Sequence, residues 1–280
     1  MSPLDIPFPE INPIALQIGP LAVRWYGLAY AAGLIIGWLY IRQLLERQQL
    51  WKNETAPMRP DDADALLVWV AAGVILGGRL GHVLFYNPDF YFANPMEIFA
   101  IWKGGMAFHG GLLGTGIAMA LFARREGISV WPVMDLVSAA VPIGLFFGRV
   151  ANFINAEVVG SVTKMPWGMV FPGAGDEPRH PAMLYEATLE GIALFLILRY
   201  FTHTRLSLRM PGLTTGIFLI GYAVFRIFCE LFKIVDYRLV LADYPITKGM
   251  VYSVPMLLLG LWFICGARAR AKGAPEEKAA

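Results

Sequence analysis

Between Gly148 and Gly160 an arginine, two asparagines and a glutamate (Arg149, Asn152, Asn155 and Glu157) interrupt a long apolar stretch. An arginine keeps its proton even in a low-dielectric site, so Arg149 must face an anion or water. At ~100° per residue these side chains and Gly160 spread over an arc too broad for one buried stripe. The segment must therefore border a wet cavity or unwind near Asn155. A second set, Tyr222, Arg226 and Glu230, recurs every four residues and so shares one helix face. Either Arg226 and Glu230 form an internal pair that joins helices, or Glu230 orients the guanidinium to grip a phosphate with two parallel hydrogen bonds. His109 lies in a glycine-rich stretch from Gly104 to Gly114. Gly110 and Gly114 suit a small-residue packing face. Beside a histidine able to exchange a proton near neutral pH, the missing side chains would equally let a substrate head group approach.

Other polar residues have structural readings. Pro181 suits a first helical turn and Glu186 the positive end of a helix dipole. Tyr26, with Arg24 and Trp25, sits where aromatic interface belts are common, and Arg79 and His82 are equally ambiguous. Cys229 and Cys265 offer no disulfide framework or metal-ligand spacing and are expected to be packing residues. No G-x-S-x-G, H-E-x-x-H or phosphate-loop lysine is present, so serine hydrolase, zincin and nucleotide hydrolase chemistries are unsupported.

The elements that must position these groups are membrane helices. Of the 280 residues 57% are hydrophobic and 16% charged, and the apolar residues are bunched into runs, a bilayer composition rather than that of a soluble core. The runs are Leu21 to Ile41, Leu66 to Tyr86, Met106 to Ala123, Val133 to Phe147, Leu184 to Tyr200, Leu213 to Phe232 and Met250 to Gly266. The expected fold is thus all-α, a polytopic bundle of about seven transmembrane helices forming a single domain over residues 1–280.

Between these runs, thirteen basic residues fall on one side (Arg42 to Arg59, Arg124, Arg125, Arg199 to Arg209, Arg268 to Lys278) and six on the other (Lys103, Lys164, Arg179, Lys233, Arg238, Lys248). Cytoplasmic loops carry the excess of lysine and arginine, which places the N-terminus outside and the C-terminus in the cytoplasm. The first twenty residues contain Asp5 and Glu10 but no basic residue, unlike a cleavable signal. The segment at about 155–181 is the longest external loop, and its glycines and prolines forbid a long helix. Loops of this length tend to be functional, so it is expected to shape a site; the charged tail from Arg268 is expected to be a solvated end. Arg24, Arg79, Arg149 and Arg226 remain within or at the ends of spans. Each costs ~2.5 to 3.5 kcal/mol at mid-bilayer, and together they argue for an anionic ligand.

These segments resemble the bacterial prolipoprotein diacylglyceryl transferase family. Its G-R-x-x-N-F-x-N-x-E-x-x-G hallmark is matched from Gly148 to Gly160. Further elements match at Arg24 to Leu28, Gly77 to Gly81, His109 to Gly114, Arg179 to Glu186 and Gly221 to Glu230. His82 stands where a tyrosine is more usual, and Lys233 where an arginine often follows the glutamate. The resemblance implies a multi-pass enzyme of the bacterial plasma (inner) membrane. It would move the diacylglyceryl group of phosphatidylglycerol onto the signal-peptide cysteine of a prolipoprotein, releasing glycerol phosphate, with no metal, cofactor or nucleic acid. By motif, His109, Tyr26, Arg226 and Glu230 are the catalytic candidates. Arg149, Asn152, Glu157, Gly160 and Tyr222 are the substrate-binding ones. A thiolate attacking a glycerol carbon needs a base near the thiol and cations at the departing phosphate. His109 would be the base, with Arg149 and Arg226 as cations held by Glu157 and Glu230. The rival reading is a transporter or flippase for an anionic lipid, which also needs arginines in a wet cavity but commonly shows paired halves that this sequence lacks.

Overall fold

Each of the seven apolar runs becomes helical, though not over the expected bounds. The computed structural model describes residues 6–9, 11–19, 21–101, 104–234, 239–241 and 244–273. Asp5, Glu10, Lys103, Arg238, Lys278 and the tail beyond Gly273 lie outside the described residues. The main helices are α1 (Trp25–Glu46), α2 (Asp62–Phe85), a short α3 (Pro88–Ala93), α4 (Phe108–Arg125) and α5 (Val130–Ile154). There follow α6 (Ala182–Glu186), a π-helical segment (Ala187–Ala193) and α7 (Leu194–His203), which run on as one helix, then α8 (Leu213–Glu230) and α9 (Lys248–Gly273). α1, α2, α5, α8 and α9 are long and apolar enough to cross a bilayer; α4 and the broken 182–203 helix do not reach that standard. Large apolar side chains such as Leu39, Val68, Leu76, Leu113, Leu196 and Leu258 point outward, as expected where lipid is the solvent of a membrane helical bundle.

The first span starts later than its apolar run. Leu21–Arg24 is a strand (β3) paired antiparallel with Ile14–Ile18 (β2), with Gly19 at φ 58° in the turn. Gly19 supplies the positive φ, and the β-bonded backbone through Arg24 delays the helix to Trp25. β1 (Ile6–Pro7) pairs parallel with β4 (Met169–Val170) in the 155–181 loop.

Three helix pairs form the body: α2 on α4, α8 on α9 and α1 on α5. In the first, Gly73, Gly77 and Gly81 face Gly110 and Gly114 backbone to backbone. A Cβ on Gly77 would come within 2.8 Å of the Gly114 Cα, and one on Gly81 within 2.8 Å of the Gly110 Cα. The space at Gly110 and Gly114 is therefore filled by a neighbouring helix, as small-residue faces are in membranes, and these two glycines do not open a path to a head group. α1 is tied to α2 by Trp38 and Arg42 on Asp64 (2.8 and 3.1 Å) and by Arg42 on Asp61 (3.0 Å). A buried core around Leu44, Leu66, Phe122, Val133 and Leu136 closes that end of the bundle.

α8 is set in place by a carboxylate from another helix. Asp135 of α5, fully buried, accepts the Gly212 and Thr215 N–H groups and the Thr215 hydroxyl, each at 2.7 Å. It thereby satisfies the orphan donors of the α8 N-terminus and complements its dipole.

Candidate functional site

α5 stops where its polar residues begin to fall on every side. The last helical residue is Ile154, Asn155 caps the end, and Ala156 and Val158 adopt positive φ (54° and 60°). This reversal swings Glu157 back over the helix end, where its carboxylate accepts Asn152 Nδ2 at 3.1 Å and Asn155 Nδ2 at 3.4 Å. Glu157 therefore holds the asparagines and not Arg149, a correction to the sequence expectation. Arg149, one turn earlier, points at the 182–203 helix instead.

There it meets two acids. Arg149 Nε lies 3.1 Å from Glu186 and Nη2 3.4 Å from Glu190. Arg226 of α8 pairs with the same Glu186 through Nη1, stands 3.7 Å from Glu190, and holds Glu230 at 2.8 Å. Lys233, one turn past α8, reaches Glu186 at 2.5 Å and Glu230 at 3.5 Å. Among the described residues the result is a knot of three cations and three carboxylates. Glu186 and Glu190 are wholly buried, whereas Arg149 and Arg226 keep about a fifth of their side chains accessible. The carboxylates are thus closed to solvent, while the guanidinium groups keep accessible surface at which an anion can be bound. Tyr222, one turn before Arg226, lies within electrostatic reach of both arginines and Glu190.

The π segment keeps a long face of this helix in phase. Ala182, Glu186, Glu190, Leu194, Leu198 and Thr202 recur every four residues and all are fully buried. In a regular α-helix such a repeat drifts by about 40° per step, enough to turn the later members outward. The wider turn over Ala187–Ala193 absorbs that drift, and π-helical turns of this kind are frequent at functional sites.

The remaining candidates surround this knot at different depths. Gly160 donates its N–H to the His180 carbonyl at 2.9 Å and bridges to Lys233; a Cβ there would meet the carbonyls of His180 and Phe232. Its close backbone approach thus fastens the loop to the turn that carries Lys233. Arg179 bonds the carbonyls of Ala174 (3.0 Å) and Gly160 (3.3 Å), and His180 Nδ1 meets the Tyr185 hydroxyl at 3.0 Å. Tyr26 accepts the Tyr30 hydroxyl at 3.5 Å, and Tyr30 in turn lies within electrostatic reach of Arg149 and Glu157. His109 is exposed in the first turn of α4 with its ring 5.3 Å from that of Tyr252 on α9. Among the described residues no hydrogen bond or ion pair joins it to the knot.

Two of the four intramembrane arginines leave the site. Arg24 is exposed at the end of β3. Arg79 is buried, but its five N–H groups are directed at the backbone carbonyls of Glu97, Ile98, Ala100, Gly104 and Gly105. Of the cysteines, Cys229 packs inside as expected, whereas Cys265 is exposed on α9.

Residues 13–265 match the family described as prolipoprotein diacylglyceryl transferase. The chain belongs to that family. Its similarity to a Rhizobium meliloti (strain 1021) protein is 53% identity over 270 residues, covering 96% of each chain. Proteins of Agrobacterium fabrum (51%) and Sinorhizobium medicae (50%) align over the same share. All three are named phosphatidylglycerol–prolipoprotein diacylglyceryl transferase. Family membership gives the knot its context: of its six residues, sequence reasoning assigned a binding or catalytic role to Arg149, Arg226 and Glu230, gave Glu186 a dipole role, noted Lys233 only as a departure from the family pattern, and missed Glu190. Two acids four apart within an apolar run were the signal available for that pair.

Proposed function

We propose that this chain transfers the diacylglyceryl group of phosphatidylglycerol to the thiol of the signal-peptide cysteine of prolipoproteins. The observation that carries this reading is the pair of guanidinium groups of Arg149 and Arg226, braced from behind by buried carboxylates and open in front, in a chain aligned almost end to end with transferases of that name. The phosphate of the lipid sits against these two arginines, with Tyr222, Asn152, Glu157 and Gly160 shaping the pocket and Glu230 orienting Arg226. His109 takes the thiol proton, and Tyr26 lines the same centre. The thiolate then forms an S–C bond to the glycerol carbon as the C–O bond to phosphate breaks. The electron pair of that bond leaves on the phosphate oxygen, and glycerol phosphate departs. This places the negative charge where cations wait for it, the arrangement that stabilises a transition state most.

All of residues 1–280 act as one domain of the bacterial inner membrane, crossing it seven times with the N-terminus outside, the C-terminus in the cytoplasm and the loop at about 155–181 external. The excess of basic residues in the opposite loops supports this orientation. A reporter fused after Ala280 should be cytoplasmic and one inserted between residues 161 and 176 external; the reverse would overturn it.

The test of the reaction is incubation of the purified protein with phosphatidylglycerol and a peptide bearing the acceptor cysteine. A thioether-linked diacylglyceryl peptide together with free glycerol phosphate is the expected result. Lipid movement between leaflets without either product would instead identify an anionic-lipid transporter.

A further inference from the structure

The proposed reaction changes the charge of its ligand. Phosphatidylglycerol presents a phosphodiester with one negative charge. When the C–O bond breaks, the phosphate keeps the electron pair and the thiol proton goes to the base. The glycerol phosphate so formed is a monoester whose second ionisation lies near pH 6, leaving it close to doubly charged at neutral pH, as with a phosphorylated side chain. Bonds between guanidinium and phosphate strengthen with charge, so bare cations would hold the product harder than the substrate.

The knot is not a set of bare cations: Arg149, Arg226 and Lys233 are balanced by Glu186, Glu190 and Glu230. Glu186 and Glu230 account for the close contacts. Glu190 stands off, at 3.4 Å from Arg149 and 3.7 Å from Arg226, and its Oε1 makes no hydrogen bond among the described residues. As a brace it is the weakest of the three, yet its carboxylate is completely buried beside both guanidinium groups. Four residues on from Glu186, it lies on the same helix face, towards the arginines.

We infer that Glu190 is a positioning residue that acts through Arg149 and Arg226, its charge loosening their grip on phosphate so that glycerol phosphate is released after transfer. The inference rests on the transferase reading above.

The experiment titrates glycerol 1-phosphate into the purified full-length protein in detergent and measures steady-state transfer, for wild type, Glu190→Gln, Lys233→Gln and the double variant. Glu190→Gln should bind glycerol 1-phosphate at least about tenfold more tightly, since a negative charge is removed from behind the arginines that hold the phosphate. Its kcat and KM should fall together, with kcat/KM nearly retained. Lys233→Gln should bind it more weakly, and the double variant should return to wild-type affinity. A purely bracing role would lower thermal stability while leaving product affinity unchanged or weaker, and that result overturns the inference. Should Glu190→Gln alone fail to fold, the same charge is read as the step from Lys233→Gln to the double variant, where a tightening is again required. If the wild type makes thioether product but these affinities agree within twofold, this inference fails and the transferase reading stands. If the wild type makes none, both fail.

Discussion

Arg79 and the pair Arg149 and Arg226 are the same residue type in the same kind of apolar surroundings, yet the fold uses them in opposite ways. Arg79 has all five donors engaged by neutral carbonyls and its guanidinium 5.0 Å above the Tyr91 ring, so its hydrogen bonding is complete while, among the described residues, no carboxylate pairs with it. Arg149 and Arg226 have carboxylate partners for their charge while about a fifth of each side chain stays accessible. Saturated donors fix a backbone; a braced cation that keeps accessible surface can recognise an anion. Charge and accessibility are separate properties of an intramembrane arginine, and only the second distinguishes a clamp on the chain from a clamp on a ligand.

The α2–α4 side, fixed by Arg79 and interlocked glycines, contributes one proposed chemical group, His109. Replacing it with glutamine is expected to lower transfer by ~10² to 10⁴. Phosphatidylglycerol binding should persist, with the loss partly recovered at higher pH as the thiol ionises unaided. An equal defect at every pH with loss of lipid binding would move His109 to the ligand-binding side of the comparison.

Arg79→Lys offers three donors for five carbonyls. Leaving two buried carbonyls unsatisfied is expected to cost about 2–4 kcal/mol of stability, read by thermal unfolding in detergent, with glycerol phosphate affinity unchanged. A loss of that affinity would erase the distinction. Arg149→Lys should behave in the contrary sense: it keeps the charge but loses the planar fork, and transfer should fall at least about tenfold, or ~1.4 kcal/mol. Full activity in that variant would remove Arg149 from the phosphate.

The smallest effect concerns the loop beside the knot. Burial holds the His180 imidazole below its usual pKa, so the folded loop favours the neutral ring. Its contribution to stability is complete above about pH 6.5, the ordinary histidine value, and is lost as pH falls through the lower folded value. Proteolysis of the 160–181 loop should accelerate on acidification in the wild type and show a shallower pH dependence in His180→Gln.

Much of this was legible. Seven helical segments followed from apolar runs, and the unwinding at Asn155 from polar residues that no single helix face could bury. The pairing of Arg226 with Glu230 followed from a four-residue spacing. What escaped were features set by backbone geometry. The strand Leu21–Arg24 is as apolar as the helix it precedes, so hydropathy merged them, and the true partners of Arg149 depended on where the chain turns after Ile154. Glu190 escaped because its spacing from Glu186 shows a shared helix face but not that this face packs against Arg149 and Arg226. Arg79 looked like a ligand group because its acceptors are main-chain atoms, which every residue possesses and no motif records.

The wide turn at Ala187–Ala193 amounts to one extra residue threaded into an otherwise regular helix. Removing a single residue there would restore ordinary pitch and rotate everything beyond it by ~100°. Leu194, Leu198 and Thr202, now fully buried, would swing off their present face, out of phase with Glu186. The segment should therefore accept substitutions at positions such as Thr188 or Leu189 far more readily than a one-codon deletion. What this stretch of the gene must preserve is its length.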